Sequence, residues 1–248
     1  MAPRFLHLTR VTLSALTIQS RFLSPAGGVL QAMSGSAPSA SPAKTETRAG
    51  NERVILDAAE FIFARHGFRG ATMQMIADRA GLPKANVHYY FESKLALYRQ
   101  VVERIFNVWL EAAGSFETSD EPGPALARYI DRKMELSRTH RHGSKVWASE
   151  VMQGAPIIQD YLERTLHDWT ETRIAVIRRW IDDGLIRPVE PRWLLYMIWA
   201  TTQHYADFAH QIETLNAGQP LGDAEWESAT RTVRTIVLGG LGLDPEAR

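Results

Sequence analysis

The sequence predicts an all-α protein: a small N-terminal head of three helices built around a helix-turn-helix, followed by a larger helical body. Three observations carry this expectation. Apolar residues after Gly50 recur at helical spacing, and no stretch alternates as a strand would. Ala71 to Lys94, ATMQMIADRAGLPKANVHYYFESK, reads as two short helices joined by a tight glycine turn. The remainder is punctuated by Gly154, Pro156, Gly184 and Pro188 to Pro191, which divide it into helix-length runs.

Composition narrows the function classes. The chain has 248 residues, of which 45% are apolar, enough for a head and a body with a sizeable core. Its formal net charge is zero, so any nucleic-acid contact must come from a local patch. The absence of cysteine excludes disulfides and thiolate metal sites, and a reducing cytoplasm fits. No apolar run reaches the length of a membrane span, so no membrane partner is expected.

Met1 to Gly50 differs from the rest. It lacks acidic residues up to Lys44, carries Arg4, Arg10 and Arg21, and is low in complexity from Gly27 to Ala43. A transit peptide shares this composition, whereas Val11 to Ile18 is too short an apolar stretch for a secretory signal. The reading adopted is a disordered leader, or a misassigned start with Met33 or a nearby codon as the true one. Residues 1–50 are therefore set apart from a head over 51–98 and a body over 99–243.

Asn51 is expected to cap the first helix, with Val54, Ile55, Ala58, Phe61 and Ile62 on one apolar face and Gly67 as its end. Thr72 caps the second, with Met73, Ile76 and Ala77 facing inward. Gly81 suits a turn with positive φ, and Pro83 suits the first turn of the third helix. Lys84 to Tyr90 is then the recognition helix, and Ser93 caps a long fourth helix to about Ala113. Tyr90 and Phe91 read as core plugs.

The opening run ILDAAEFIFARHGF, Thr72, the segment Ile76 to Gly81 and VHYYFESKLALY (Val87 to Tyr98) together resemble the TetR family of one-component repressors. The resemblance implies a DNA-binding head and a ligand-binding, dimerising body. Thr72, at a helix N-terminus, is placed to meet a phosphate. Lys84, Ala85 and Asn86 begin the helix that reaches base edges, where Asn pairs with adenine and Lys with guanine. His88 and Tyr89 fall where the family places backbone contacts, although His88 departs from the Tyr frequent there. Lys94 opens the fourth helix within reach of a phosphate.

The body is expected to comprise helices over Ala125 to Ser137, Ser144 to Gln153, Ile157 to Asp183, Arg192 to Leu215 and Asp223 to Leu238, with Asp120 to Pro124 a turn and Gly239 to Gly242 a loose end. GAPIIQDYL (Gly154 to Leu162) and LLYMIWATTQHYADFAHQIE (Leu194 to Glu213) resemble the pyrimidine-utilisation branch of the same family. That branch implies a small-molecule effector such as uracil or thymine and genes of pyrimidine catabolism or a related nitrogen pathway.

Trp199 offers a flat wall and Gln203 an amide that matches an imide edge. Trp109 on the fourth helix and Tyr205 are the other candidate effector contacts. A Trp and Tyr stripe on a bundle helix equally fits core or dimer seam, and Trp193 and Trp226 fit seam or core. His204, Asp207 and His210 do not converge from one helix, so they read as a hydrogen bond or dimer contact and no metal is expected. His140 and His142 read as surface residues of a polar turn. No cofactor is implied, and no nucleophile signature or phosphate loop supports an enzyme.

The expected partners are a near-palindromic double-stranded operator, a small-molecule effector and a second copy of the chain joined through the last two helices. Paired recognition helices must lie roughly 34 Å apart to enter successive major grooves. A TetR-type regulator of another pathway, or an effector-independent DNA binder, remains the alternative.

Overall fold

A computed structural model of the chain describes residues 42–112, 114 and 121–246. These residues are helical with connecting turns, and no strand occurs among them. The leader expected over 1–50 falls outside the described residues except for its last stretch, which is helical. Helix α1 (Pro42–Gly70) begins before Asn51 because Ala, Lys, Glu and Arg predominate over Gly and Pro there. Asn51 is accordingly inside α1, not its cap, and its Nδ2 donates to the Tyr90 hydroxyl at 3.3 Å. Gly67 has φ 66°, a left-handed conformation that interrupts α1 where the sequence places its end.

The head closes around α1. Helix α2 (Met73–Ala80) starts at Thr72, whose Oγ1 accepts the Met75 N–H at 3.1 Å. Gly81, at φ 67°, ends it. Helix α3 (Lys84–Tyr90) follows Pro83, and α4 (Lys94–Ala112) is capped by Ser93, whose Oγ accepts the Ala96 N–H at 3.1 Å. Ile55, Ile76, Ala77, Val87 and Phe91 are buried in one cluster with the start of α4. Tyr90 packs at its edge. Val54 departs from the expected apolar face and is exposed, because that face is narrower than the apolar spacing implied.

Helix α5 (Pro122–Thr139) takes in part of the turn expected over 120–124, since Pro122 needs no intrahelical N–H partner in the first turn. Helix α6 (Arg141–Met152) follows His140 directly, so His142 lies in a helix, not in a polar turn; both histidines are exposed. The run expected over 157–183 is composite: α7 (Gln159–Tyr161), a π-helical turn (Leu162–Leu166) and α8 (His167–Asp182), which stops before Gly184 at φ 70°.

The helix expected over 192–215 is two, α9 (Pro191–Asp207) and α10 (Ala209–Leu215), because the Phe208 backbone leaves the helical region at φ −109°, ψ 26°. Helix α11 (Asp223–Gly240) extends through two of the glycines expected as a loose end. The chain beyond it is tied down: Leu241 is buried, and its carbonyl accepts the Arg187 N–H at 2.9 Å.

Helices α5, α8, α9 and α11 form the second core, centred on Trp180, Ile130, Leu195 and Leu238. Trp226 belongs to it, whereas Trp193 is 62% exposed. Ser137 and Thr202, two buried polar residues beside this core, are paired. Ser137 Oγ donates to the Thr202 carbonyl at 2.8 Å, and Thr202 Oγ1 donates to the Ile198 carbonyl at 2.8 Å. No helix among the described residues is long and apolar enough to cross a membrane.

Candidate nucleic-acid interface and ligand cavity

The short helix α3 divides by exposure. Val87 is fully buried, and its neighbours Lys84, Ala85, Asn86, His88 and Tyr89 are all exposed. One buried anchor thus presents the rest of a seven-residue helix to solvent, with its N-terminal end polar. Tyr89 is 72% exposed, and the Arg48 guanidinium lies 6.0 Å from its ring. Thr72 is exposed at the start of α2, beside free N–H groups of the helix end.

Lys94 sits differently. Its Nζ donates to the Ala71 carbonyl at 2.8 Å and to the Arg69 carbonyl at 3.5 Å, and it lies 4.6 Å from the centre of the Phe68 ring. The ammonium therefore clasps the C-terminal end of α1 and the residue that follows it to the start of α4. With three donors, it retains capacity for one further acceptor.

In the body, a cavity opens between α4, α5, α6, α8 and α9, with about 60 Å³ available to the centres of water-sized molecules. Trp109 comes from α4, Trp147 from α6, Trp169 from α8, and Trp199 and Gln203 from α9. Leu166, the last residue of the π-helical turn, closes one side. Three of the four effector candidates, Trp109, Trp199 and Gln203, thus border one space. Tyr205 does not; its ring packs 5.7 Å from that of Trp226, because its place on α9 turns it toward α11.

Helix α5 adds two residues that the effector candidates omit, Tyr129 and Lys133. The Tyr129 hydroxyl accepts the Trp199 Nε1–H at 2.8 Å, which fixes the indole plane. Burial pushes the Tyr129 phenol well above its usual range, so it stays protonated. Lys133 is 4% exposed, and its Nζ lies 4.9 Å from the centre of the Trp109 ring. Burial lowers the Lys133 ammonium to about 8, against a smaller opposing pull from Asp207. Asp207 is raised by its own burial, while a hydrogen bond from Ser144 and the Lys133 charge hold it down.

A readable signal for Lys133 was present. Leu126, Ile130, Lys133 and Ser137 share one helical face, and the others of that face are buried. The Trp147 and Trp169 walls had no comparable mark, since Trp residues recur throughout the body.

Head and cavity are joined through α4 and α6. The Tyr98 hydroxyl donates to Glu150 Oε2 at 2.9 Å, and Glu150 Oε1 accepts the Ile157 N–H at 2.7 Å. Arg99 donates to the Ile157 carbonyl at 2.7 Å. From α1, Glu60 accepts the Gly143 N–H and lies 3.4 Å from Arg104. The Phe61 ring meets His142 edge-on at 5.0 Å, with Arg79 over its other side at 3.3 Å.

Among the described residues, no group of three His, Cys, Asp or Glu is placed to hold a metal ion. His204 stacks on Phe208 at 4.9 Å, Asp207 bonds Ser144, and His210 lies beyond the helix break.

A helical head with an exposed third helix, set on an all-helical body with an aromatic-lined cavity, is the architecture of a DNA-binding regulator. Residues 55–101 match the family described as bacterial regulatory proteins, tetR family, and residues 102–244 match the YcdC-like protein, C-terminal region. The chain is 35% identical over 190 residues to the HTH-type transcriptional regulator RutR of Escherichia coli K12, covering 77% of this chain and 90% of that protein. The chain belongs to the TetR family of transcriptional regulators.

Among solved structures, the ketosteroid transcriptional regulator KstR2 of Mycobacterium tuberculosis superposes with a TM-score of 0.63 at 21% identity, covering 77% of this chain and 94% of that one. AibR in complex with isovaleryl coenzyme A and operator DNA gives 0.60 at 17%, with coverage of 75% and 97%. These two share the fold.

Proposed function

We propose that this regulator is a homodimeric repressor whose operator binding is modulated by a small planar pyrimidine such as uracil or thymine, in pyrimidine breakdown or a related nitrogen pathway. The observation that carries this reading is the cavity's size and wall. At ~10–15 Å³ per water, its space holds about four to six waters, on the scale of one substituted ring. Indole faces suit a flat heterocycle, and the Gln203 amide supplies a donor and an acceptor for an imide edge. The likeness to the pyrimidine-utilisation branch supplies the same ligand class.

On the DNA side, Lys84, Ala85 and Asn86 read base edges, and Thr72, His88, Tyr89 and the remaining donor of Lys94 meet phosphates. Dimerisation uses the faces of α9 and α11 that leave Trp193, Tyr196, Met197 and Ile236 exposed. The test is operator binding to the gene's own upstream DNA with and without uracil and thymine. A change in affinity of about 5–150-fold is expected. Unchanged affinity with both pyrimidines would make this an effector-independent binder or a sensor of another compound.

A further inference from the structure

The cavity has a charged group that a stacking site for a flat ring does not need. Lys133 is almost wholly buried, yet among the described residues no hydrogen-bond acceptor meets its ammonium. A buried cation without an acceptor is costly, and a structure that retains one has an answer for it elsewhere. The groups that face it are few. Trp109 of α4 presents its ring, which interacts with the charge but accepts no conventional hydrogen bond. Asp207, at the end of α9, acts on it from beyond ion-pair distance. That carboxyl is already engaged by Ser144 of α6 and is itself influenced by His204 and Lys145. Arg173 of α8 acts on Tyr129, and lies 4.4 Å from the Trp169 ring.

One residue of the wall carries a buried donor as well. Trp169 Nε1 is buried with no acceptor. Lys133 is the one charged residue among the described residues that line the cavity, and the complement of its ammonium is an acceptor on the ligand. Because Asp207 offsets the Lys133 charge at a distance, a neutral ligand with a strong oxygen acceptor meets the demand.

We infer that Lys133 is a ligand-recognition residue of this cavity: its ammonium donates to an exocyclic ring oxygen of the bound heterocycle, so the site takes planar oxo-heterocycles and discriminates against rings that lack the oxygen. The inference rests on the pyrimidine reading above and sharpens it. Stacking on indole is shared by every flat ring, and the amide of Gln203 can turn to suit donor or acceptor. Lys133 cannot turn its preference; it has three donors and no acceptor. It is the group that makes oxygen obligatory.

A consequence in pH follows from the same geometry. In the empty protein, burial holds the ammonium at about 8. A bound oxygen favours the protonated form and raises it. Affinity should therefore be level below pH 8 and fall above it, approaching tenfold per pH unit while the free protein loses the proton and the complex keeps it.

The experiment is calorimetric titration of the full-length protein with uracil and with unsubstituted pyrimidine from pH 6.5 to 9, for the wild type and for Lys133→Met. Met matches the length of the stem without the charge. The wild type is expected to bind uracil about 100-fold more tightly than pyrimidine, to lose affinity above pH 8, and to lose both features in Lys133→Met. Circular dichroism of the variant controls for folding, and retained pyrimidine binding shows an intact cavity. Should the variant not fold, Lys133→Arg provides the second arm: its cation persists at every pH, so its uracil profile should be flat across pH 8. Equal uracil affinity and an equal pH profile in wild type and Lys133→Met would overturn the role of Lys133 while leaving the pyrimidine reading standing. Failure of wild-type protein to bind uracil at any pH would overturn both.

Discussion

The hydroxyl of Tyr98, on the helix that leaves the DNA-reading head, donates to the side chain of Glu150 at 2.9 Å, deep between head and body. The second oxygen of Glu150 holds the Ile157 N–H at 2.7 Å, so one carboxyl group fixes both α4 and the segment after α6. Burial and the neighbouring Glu150 push the Tyr98 phenol far above its usual range, which keeps it a donor at every working pH. Tyr98 is near the head and Trp109 is at the cavity on the same helix, so this bond sits along the mechanical route between them.

Glu150→Gln preserves shape but turns one acceptor into a donor. Either Tyr98 or Ile157 then faces an NH₂ group. We expect a loss of about 1–3 kcal/mol in urea unfolding, and a smaller loss for Tyr98→Phe. Operator affinity measured with and without effector should show reduced coupling in both variants. Coupling equal to wild type would remove this bond from the route.

At Gly143, α6 packs closely against α4 and α1. A Cβ there would lie 2.9 Å from Ile105 Cγ1 and 3.3 Å from Glu60 Oε1. Gly143→Ala should destabilise by about 1–2 kcal/mol, overpacking exceeding the gain in helix propensity. Gly50→Ala, helical with nothing within 4 Å of a Cβ, should instead raise Tm slightly. The pair of melting curves separates close packing from intrinsic propensity.

Asn86→Ala and Lys94→Ala should fail in different ways. The first should relax preference among operator base variants and leave Tm unchanged, since Asn86 is exposed. The second should weaken all sequences alike, lower the salt slope by about 0.9 if one phosphate contact is lost, and lower Tm by freeing the Ala71 carbonyl. A Tm loss without a change in salt slope would show that Lys94 serves the fold alone.

The empty protein should also report Lys133 through stability. Its folded-state value, about 8, lies below the ordinary lysine value of 10.5, so between these the unfolded chain binds more protons. Stability of the wild type relative to Lys133→Met should therefore rise with pH across that window, by at most about 3 kcal/mol. Urea unfolding at pH 7.5, 9 and 10.5 checks the sign; a difference that is constant or falls with pH contradicts a depressed Lys133.

Much of this was legible locally. Thr72, Gly81 and Ser93 act as the caps and turn that their chemistry implies, because a cap depends on neighbours two or three residues away. The shared face of Trp199 and Gln203 was readable for the same reason. Boundaries set by tertiary packing were not. Phe208 breaks α9 from α10 without glycine or proline, and the π-helical turn over Leu162–Leu166 has no residue type that announces it. Tyr205 packs beside Trp226 and not along this cavity, because periodicity gives a face but not its neighbour. Lys133 was visible as a lysine on an apolar face, yet only the convergence of five helices shows that a cavity lies beside it.

Four of the seven tryptophans in the chain border the cavity. Indole emission depends on the polarity and the quenchers around the ring, and more than half of the indole fluorophores border the space a ligand would fill. The protein is thereby its own optical probe: filling the cavity should alter emission intensity and wavelength without any label, while events confined to the head, which contains no tryptophan between Asn51 and Tyr98, remain dark.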